Sequence, residues 1–354
     1  MDIYKKVHEQ INGYSIGFPA AKSGLELAIL KKLFTPEEAG IFTHLTRKLE
    51  PVRIIAARSG RDEKEVSALL EAMTRKGVTF PLTRRGEKYY AAAPFAHGFF
   101  EHNAILQKDS ELMGMIEEYL SRDFLPRGRA LRTVPVQVSP EERRSVQPFD
   151  DVMKIIEGKD RIGLFPCACA TRMEILNSNC PKPREVCIAF DFYAEYPIEE
   201  FGIGRWIGRD EAMAVVVKAE EAGLVHQTGG DSRNVECVCN CCGDCCVSLR
   251  LIKRFPAPGK LAASNFIAVL DGELCTACGS CVERCPMGAL SMEDGKAAHN
   301  ADRCIGCGLC VGTCPSGALA LRLKSEKELT GPPPPEHYNF MKSSLDYEDD
   351  VKSG

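Results

Sequence analysis

The sequence predicts an α+β chain of several domains, and three observations carry that reading. Its 354 residues are enough for two or three separate cores. Three helical patterns and a hairpin pattern open the chain. All 18 cysteines fall between Cys167 and Cys314, so a thiol-free first part precedes a thiol-rich second part. The expected divisions are a first domain at 1–100, a helical connector at 101–160, a cysteine-rich mixed α/β module at 161–258, a duplicated cysteine segment at 259–330 and a tail at 331–354.

Composition narrows the setting. The N-terminal stretch "MDIYKKVHEQINGYSIGF" has no apolar run of signal-peptide type, and the best apolar run, "AMAVVV", is too short to cross a bilayer. A cytoplasmic location is therefore expected. In a reducing compartment the thiols should serve as metal ligands, not as a disulfide framework. The net charge is −4, yet residues 1–100 carry 16 Lys+Arg against 11 Asp+Glu. The acidic excess thus lies downstream.

In the first domain, "TPEEAGIFTHL" (35–45), "PVRIIAARSG" (51–60) and "DEKEVSALLEAMTRKG" (62–77) read as helices. The third opens with Asp62 and Glu65 at capping-box spacing, and Val66, Leu69, Leu70 and Met73 give its apolar stripe. "VTFPLTRRGEKYYAAAP" reads as a hairpin turning at "RRGE". This arrangement, over about 25–95, resembles a winged helix-turn-helix. The resemblance implies DNA binding, with Arg53, Arg58, Arg61, Lys64, Arg84 and Arg85 as candidate phosphate contacts. The acidic "RDEKE" start of the third helix argues instead for docking or dimerisation.

The connector reads as a helix at about 103–121, a strand "TVPVQV" and a helix near "FDDVMKIIEG". Next, "RIGLF" reads as a short buried strand that delivers Cys167 and Cys169. Cys180 and Cys187 follow in "NCPKPREVC". "GRDEAMAVVVKAEEAGLVH" reads as a helix with Asp210 at its N-cap, Met213, Val216 and Val217 on its apolar face, and Gly223 at its end. His226 reads as a packing residue. The helix returns the chain to "CVCNCCGDCC", which holds Cys237, Cys239, Cys241, Cys242, Cys245 and Cys246.

These ten cysteines allow one or two sites. In one assignment Cys167, Cys169, Cys180 and Cys187 form a site, and four of the later run form another. In a mixed assignment each site draws on both segments. Neighbours such as Cys241 and Cys242 point in different directions in most backbone conformations, so one site is not expected to use both. Iron–sulfur clusters and zinc both suit such thiols.

"CTACGSCVERCP" and "CIGCGLCVGTCP" are two copies of C-x2-C-x2-C-x3-C-P, each followed by a "GAL". They resemble the bacterial two-cluster ferredoxin, a duplicated βαβ fold that holds two [4Fe-4S] clusters. The resemblance covers about 266–324. It implies that Cys275, Cys278, Cys281 and Cys314 hold one cluster, and that Cys304, Cys307, Cys310 and Cys285 hold the other. Small residues between the cysteines let backbone amides approach the cluster.

A wider resemblance follows from "RTVPV" (132–136), "FPCACAT" (165–171), "CPKPREVCIAFDFYAEY" (180–196), "GIGRWIGRDEAM" (202–213), "EEAGLVH" (220–226) and "CNCCGDCC" (239–246). These motifs are similar to those of a family of anaerobe 4Fe-4S-binding proteins, matched over about 130–325. The present chain adds Cys237 at the start of the run. The family implies iron–sulfur binding and electron transfer, and the leading reading is an electron-transfer protein of anaerobic metabolism that passes electrons to a partner oxidoreductase. Two further readings stay open: a redox-responsive transcription regulator, and a reductase whose site is the CNCC region. No dinucleotide fingerprint, Walker motif or Ser/His/Asp arrangement is present. "GPPPPEHYNFMKSSLDYEDDVKSG" reads as a disordered, proline-stiffened acidic tail.

Overall fold

A computed structural model describes residues 2–124, 131–135, 150–231 and 234–332. The first core is built by helices Ile3–Asn12, Leu25–Leu33, Pro36–Phe42, Val52–Ser59 and Glu63–Arg75 and by the hairpin Thr79–Arg84/Glu87–Ala92. Glu50–Pro51 pairs with the outer edge of the second hairpin strand. Pro36–Phe42 is started by a complete capping box. Thr35 Oγ1 accepts from the Glu38 amide at 3.2 Å, and Glu38 Oε2 accepts from the Thr35 amide at 2.8 Å. At Glu63–Arg75 the box is only half formed. Asp62 accepts the Lys64 and Glu65 amides, but Glu65 turns outward to Arg61 at 2.7 Å. The hairpin turns on Arg85 (φ 49°) and Gly86 (φ 80°), the two left-handed positions of a type I′ turn.

The connector departs from expectation. In place of one helix over 103–121 there are two, Phe100–Leu106 and Ser110–Arg122. Lys108 takes a left-handed φ of 49°, and Asp109 restarts the helix by accepting the Leu112 amide at 3.0 Å. Both helices pack into the first core, where Phe18, Phe95, Phe99 and Tyr119 meet edge to face and tilted. Of "TVPVQV" only Thr133, with Arg132, is in a strand; residues 136–138 lie outside the described residues. The tail from 333 onward also lies outside them.

The cysteine-rich module is a six-stranded antiparallel sheet. Its order is Arg132–Thr133, Val225–Gly230, Val235–Cys241, Glu185–Phe190, Ile162–Pro166, Arg205–Ile207. Helices Val152–Glu157 and Arg209–Glu221 cover one face through Ile155, Ile156, Ala212 and Val216. The N-cap of Arg209–Glu221 is Gly208, so Asp210 lies in the first turn, where its charge suits the helix dipole. Val217 points to solvent, because positions 212, 216 and 219 make the buried stripe. The hairpin Thr79–Arg84/Glu87–Ala92 packs on helix Phe192–Phe201 through Phe80 and Tyr196, and Arg84 pairs with Glu195 at 2.6 Å.

The last unit repeats itself. Phe266–Leu270 pairs with Leu319–Leu323, and Leu290–Glu293 pairs with Lys296–His299. Short helices Ser280–Arg284 and Leu309–Gly312 each follow a left-handed glycine, Gly279 or Gly308. A buried polar knot joins this unit to the sheet. Arg132 and Asp150 pair at 2.6 and 3.0 Å, and Asn265 Nδ2 donates to Asp150 Oδ2 at 2.7 Å.

Ala277 and Gly306 occupy equivalent places in the two repeats, both left-handed (φ 59° and 67°). Only the first tolerates a methyl group. A Cβ on Gly306 would stand 2.1 Å from the Phe266 carbonyl oxygen, whereas a Cβ on Gly279 would meet nothing within 4 Å. We expect Gly279→Ala to cost roughly 1–2 kcal/mol, the ordinary left-handed penalty. Gly306→Ala should instead displace the Phe266 strand and cost clearly more. Thermal unfolding of the two variants provides the check, and equal behaviour would contradict it.

Candidate metal centres and the cavity beside them

The eight C-terminal thiols gather in two groups. Cys281 feels the charges of Cys278, Cys314 and Cys275. Cys307 feels those of Cys310, Cys285 and Cys304. The fourth cysteine of each repeat therefore lies with the other repeat's first three. Backbone amides already aim at sulfur: Ala289 to Cys285 at 3.2 Å, Ala268 to Cys304 at 3.5 Å and Ala297 to Cys275 at 3.5 Å. Burial pushes Cys310 up to about 12 and also raises Cys304 and Cys307. The Ser280 amide lowers Cys278, which is exposed. Four sulfurs packed with amide donors suit a group that carries positive metal charge and neutralises thiolates the protein would otherwise struggle to bury.

The ten middle cysteines divide in a way that mixes the two sequence segments. Cys180, Cys242 and Cys245 form a buried triad whose sulfurs all lie within 4.8 Å of one another, with Cys180 and Cys242 at 3.7 Å. The other contacts close a ring. Cys167 lies beside Cys169 and Cys187, Cys169 beside Cys246, Cys246 beside Cys241, Cys241 beside Cys239, and Cys239 beside Cys187, all as free thiols. Cys237 joins the ring at Cys239. A four-cysteine site of Cys167, Cys169, Cys180 and Cys187 is therefore not what the fold brings together, because Cys180 lies with the later segment.

Strand geometry explains the ring. Cys237, Cys239 and Cys241 alternate on one face of Val235–Cys241. The register sets Gln227 opposite Cys239 and Phe165 opposite Cys187. Cys167 is the N-cap of helix Ala168–Ile175, whose first turn carries Cys169 inward. Hydrogen bonds from Cys167 and Cys246, helped by Arg172, hold Cys169 well below the usual thiol range. Those from Cys187, Cys237 and Cys241 do the same for Cys239. His226 plays no part in the ring. It is buried, bonded to Asn240 Oδ1 at 2.5 Å and kept neutral down to about pH 4 by burial.

Several side chains of the site left no pattern in the sequence. Arg172 is fully buried and paired with Glu117; it donates to the Cys245 carbonyl at 3.3 Å and lies 5.7 Å from the Phe100 ring centre. Arg250 also pairs with Glu117, at 2.5 Å. Burial opposes ionisation of Glu117, yet the two arginines hold its pKa below the usual value. Two guanidinium groups share one carboxylate, so positive charge is left beside the thiols. Arg172 follows Cys169 by three residues, one helical turn, and that spacing was the available signal.

A cavity of about 540 Å³ opens over the ring. Ring thiols line one side, and Phe95, Phe100, Ile105, Phe165 and Tyr193 line much of the rest. Its polar groups include His97, Glu101, Gln227 and Glu236. His97 (φ 57°, ψ 43°) and Gly98 interrupt the helical turn Phe95–Phe99, and the Gly98 amide donates to Glu101 Oε2 at 2.9 Å.

A family model described as "4Fe-4S dicluster domain" matches residues 267–315. The last unit is accordingly an iron–sulfur domain of ferredoxin type. No curated protein and no solved structure matches the chain. Among the described residues, no helix is long and apolar enough to cross a membrane.

Burial raises the Glu101 carboxyl from 4.5 to about 7. The unfolded chain releases this proton at lower pH than the folded one. Stability that is fully present below pH 4.5 is therefore lost as pH rises through 7, by up to about 3 kcal/mol. Glu101→Gln should remove that loss. Urea unfolding at pH 5 and pH 8 is expected to show a smaller difference in the variant than in the parent, and identical differences would count against a half-buried Glu101 that holds its proton.

Proposed function

We propose that the chain is an iron–sulfur electron-transfer protein of anaerobic metabolism. In this reading Cys275, Cys278, Cys281 and Cys314 hold one [4Fe-4S] cluster, and Cys304, Cys307, Cys310 and Cys285 hold the second. The triad and the ring hold one or two further metal sites. Such clusters, when bound, accept and release single electrons. The partner is a cytoplasmic oxidoreductase.

One observation carries this reading: the two thiol-rich units share a buried apolar interface. Cys241 and Cys246 are buried in one cluster with Met287, Ile305 and Leu309, and Cys285 and Cys307 pack against it. On the triad side, a Cβ on Gly243 would stand 3.0 Å from Pro286 Cβ, so the Cys242–Cys245 loop lies directly on the residue after Cys285. Among the described residues, only the second ferredoxin group faces the module in this way, while Cys278 of the first is exposed. That polarity suits a relay between a docked partner and the interior.

For the first domain the same reading favours docking over DNA. Of the six candidate phosphate contacts, four meet acids: Arg53 with Glu87 at 3.8 Å, Arg58 with Glu50, Arg61 with Glu65 at 2.7 Å and Arg84 with Glu195 at 2.6 Å. Pairing of this kind removes charge from the face a phosphate backbone would need.

Anaerobic purification with iron, sulfide and zinc analysis tests the proposal. About eight irons belong to the ferredoxin pair, and about twelve to sixteen are expected in all. The double variant Cys180→Ser/Cys242→Ser should lower the total by about four irons and leave the EPR signals of the ferredoxin pair intact. A parent protein with about eight irons and stoichiometric zinc would overturn the further clusters.

A further inference from the structure

A protein that only relays electrons has no use for a roomy cavity, since transfer between buried clusters favours close packing. Here about 540 Å³ lies directly over the thiol ring, within the range of small-molecule sites. We propose that this cavity binds an uncharged, flat, largely aromatic organic molecule that carries one hydrogen-bonding group. The inference goes beyond the relay: a metal site held by the ring would fill the thiol side of the cavity, and the molecule proposed here would take the aromatic side.

The chemistry of the lining selects the ligand. Phe95, Phe100, Phe165 and Tyr193 supply aromatic faces and edges, and Ile105 adds aliphatic surface. A charged ligand would lose its hydration against these walls. An anion would also meet Glu101, Glu236 and the thiols, while the lining's Lys260 is already paired with Asp302 at 3.0 Å. The polar contacts are instead few and fixed, as in small-molecule pockets where they set orientation. Glu101 is anchored by the Gly98 amide at 2.9 Å. That amide is held in place by an irregular turn. His97 is left-handed, and a Cβ on Gly98 would come 2.8 Å from Pro94 Cδ. A non-glycine residue kept in that conformation beside a cavity is the kind of local strain that accompanies ligand sites.

The cavity is also a junction. The turn Phe95–Phe99 and helix Phe100–Leu106 come from the first core, Cys187 and Cys239 from the sheet, and Phe255 and Leu261 from the chain entering the ferredoxin unit. A bound molecule would touch all three parts. This gives the first core a role that DNA contact does not: it forms one wall of the pocket over the thiols.

Isothermal titration calorimetry on the anaerobically purified, iron-loaded chain tests the proposal with three probes of one size. They are 2-acetylnaphthalene (neutral), 2-naphthoate (anionic) and 2-(aminomethyl)naphthalene (cationic). The ketone should bind at least tenfold tighter than either charged probe. Ala189→Phe and Ser248→Phe, which add bulk to different walls, should each weaken it at least tenfold, with iron content and the EPR signals of the ferredoxin pair serving as folding controls. If one variant loses iron, the other decides. No ketone binding by the parent, tighter binding of a charged probe, or ketone affinity unchanged in a correctly loaded variant would each overturn the proposal. Loss of the ferredoxin signals in the parent would instead count against the relay, so the two failures are told apart.

Discussion

Adjacent thiols in a folded chain cannot all face the same way, and the arrangement of this protein follows from that constraint. Cys241 ends a strand and continues the alternating face of Cys237 and Cys239. Cys242 begins the turn, and its sulfur swings to Cys180 and Cys245. Cys246 then starts helix Val247–Lys253 and returns to the ring beside Cys169. The run thus sends two residues of the CCGDCC stretch to the ring and two to the triad. Its dense cysteines are divided between two groups of thiols, each completed by thiols from the earlier segment.

Burying so many sulfurs requires compensation, and the fold places it nearby. Arg172 is enclosed completely, and it shares Glu117 with Arg250. A single carboxylate between two guanidinium groups leaves an excess positive charge in a region of low dielectric, where an unpaired ion is costly. Thiolates are the natural counter-charge. Glu117 belongs to helix Ser110–Arg122 of the first core, whereas both arginines flank cysteines. The network therefore ties the thiol-free part of the chain to the electrostatics of the thiol-rich part.

How much of this was legible beforehand depended on distance along the chain. The ferredoxin repeats could be read because each presents three of its cysteines within seven residues, with left-handed glycines between them. The hairpin turn at Arg85–Gly86 and the helix Glu63–Arg75 were local signals too. The division of the middle cysteines was not local. Cys180 meets Cys242 across 62 residues, and the sequence cannot choose among registers that decide such a contact. Val217 and the break at Lys108 failed for a smaller reason. One apolar residue beside a stripe, or one left-handed residue before an N-cap, shifts an element without disturbing its overall pattern. Glu101 left no trace because a lone carboxyl in an amphipathic helix reads as solvent-facing until its neighbours are known.

The sheet register joins these threads. Strand pairing sets Phe165, Cys187, Cys239 and Gln227 in one row across four adjacent strands, and all four line the cavity. A slip by one residue would turn Cys187 or Cys239 to the opposite face, toward the core of Val216, Ile188 and Val238. The apolar residues of that opposite face thus fix the thiols indirectly. Val238 and Ile188 pair across the strands and are both buried, so hydrophobic burial on one side specifies the register that assembles the ring on the other. The thiol-bearing side of this sheet can carry cysteines, a glutamine and a phenylalanine in one row because its own residues are not asked to determine the fold.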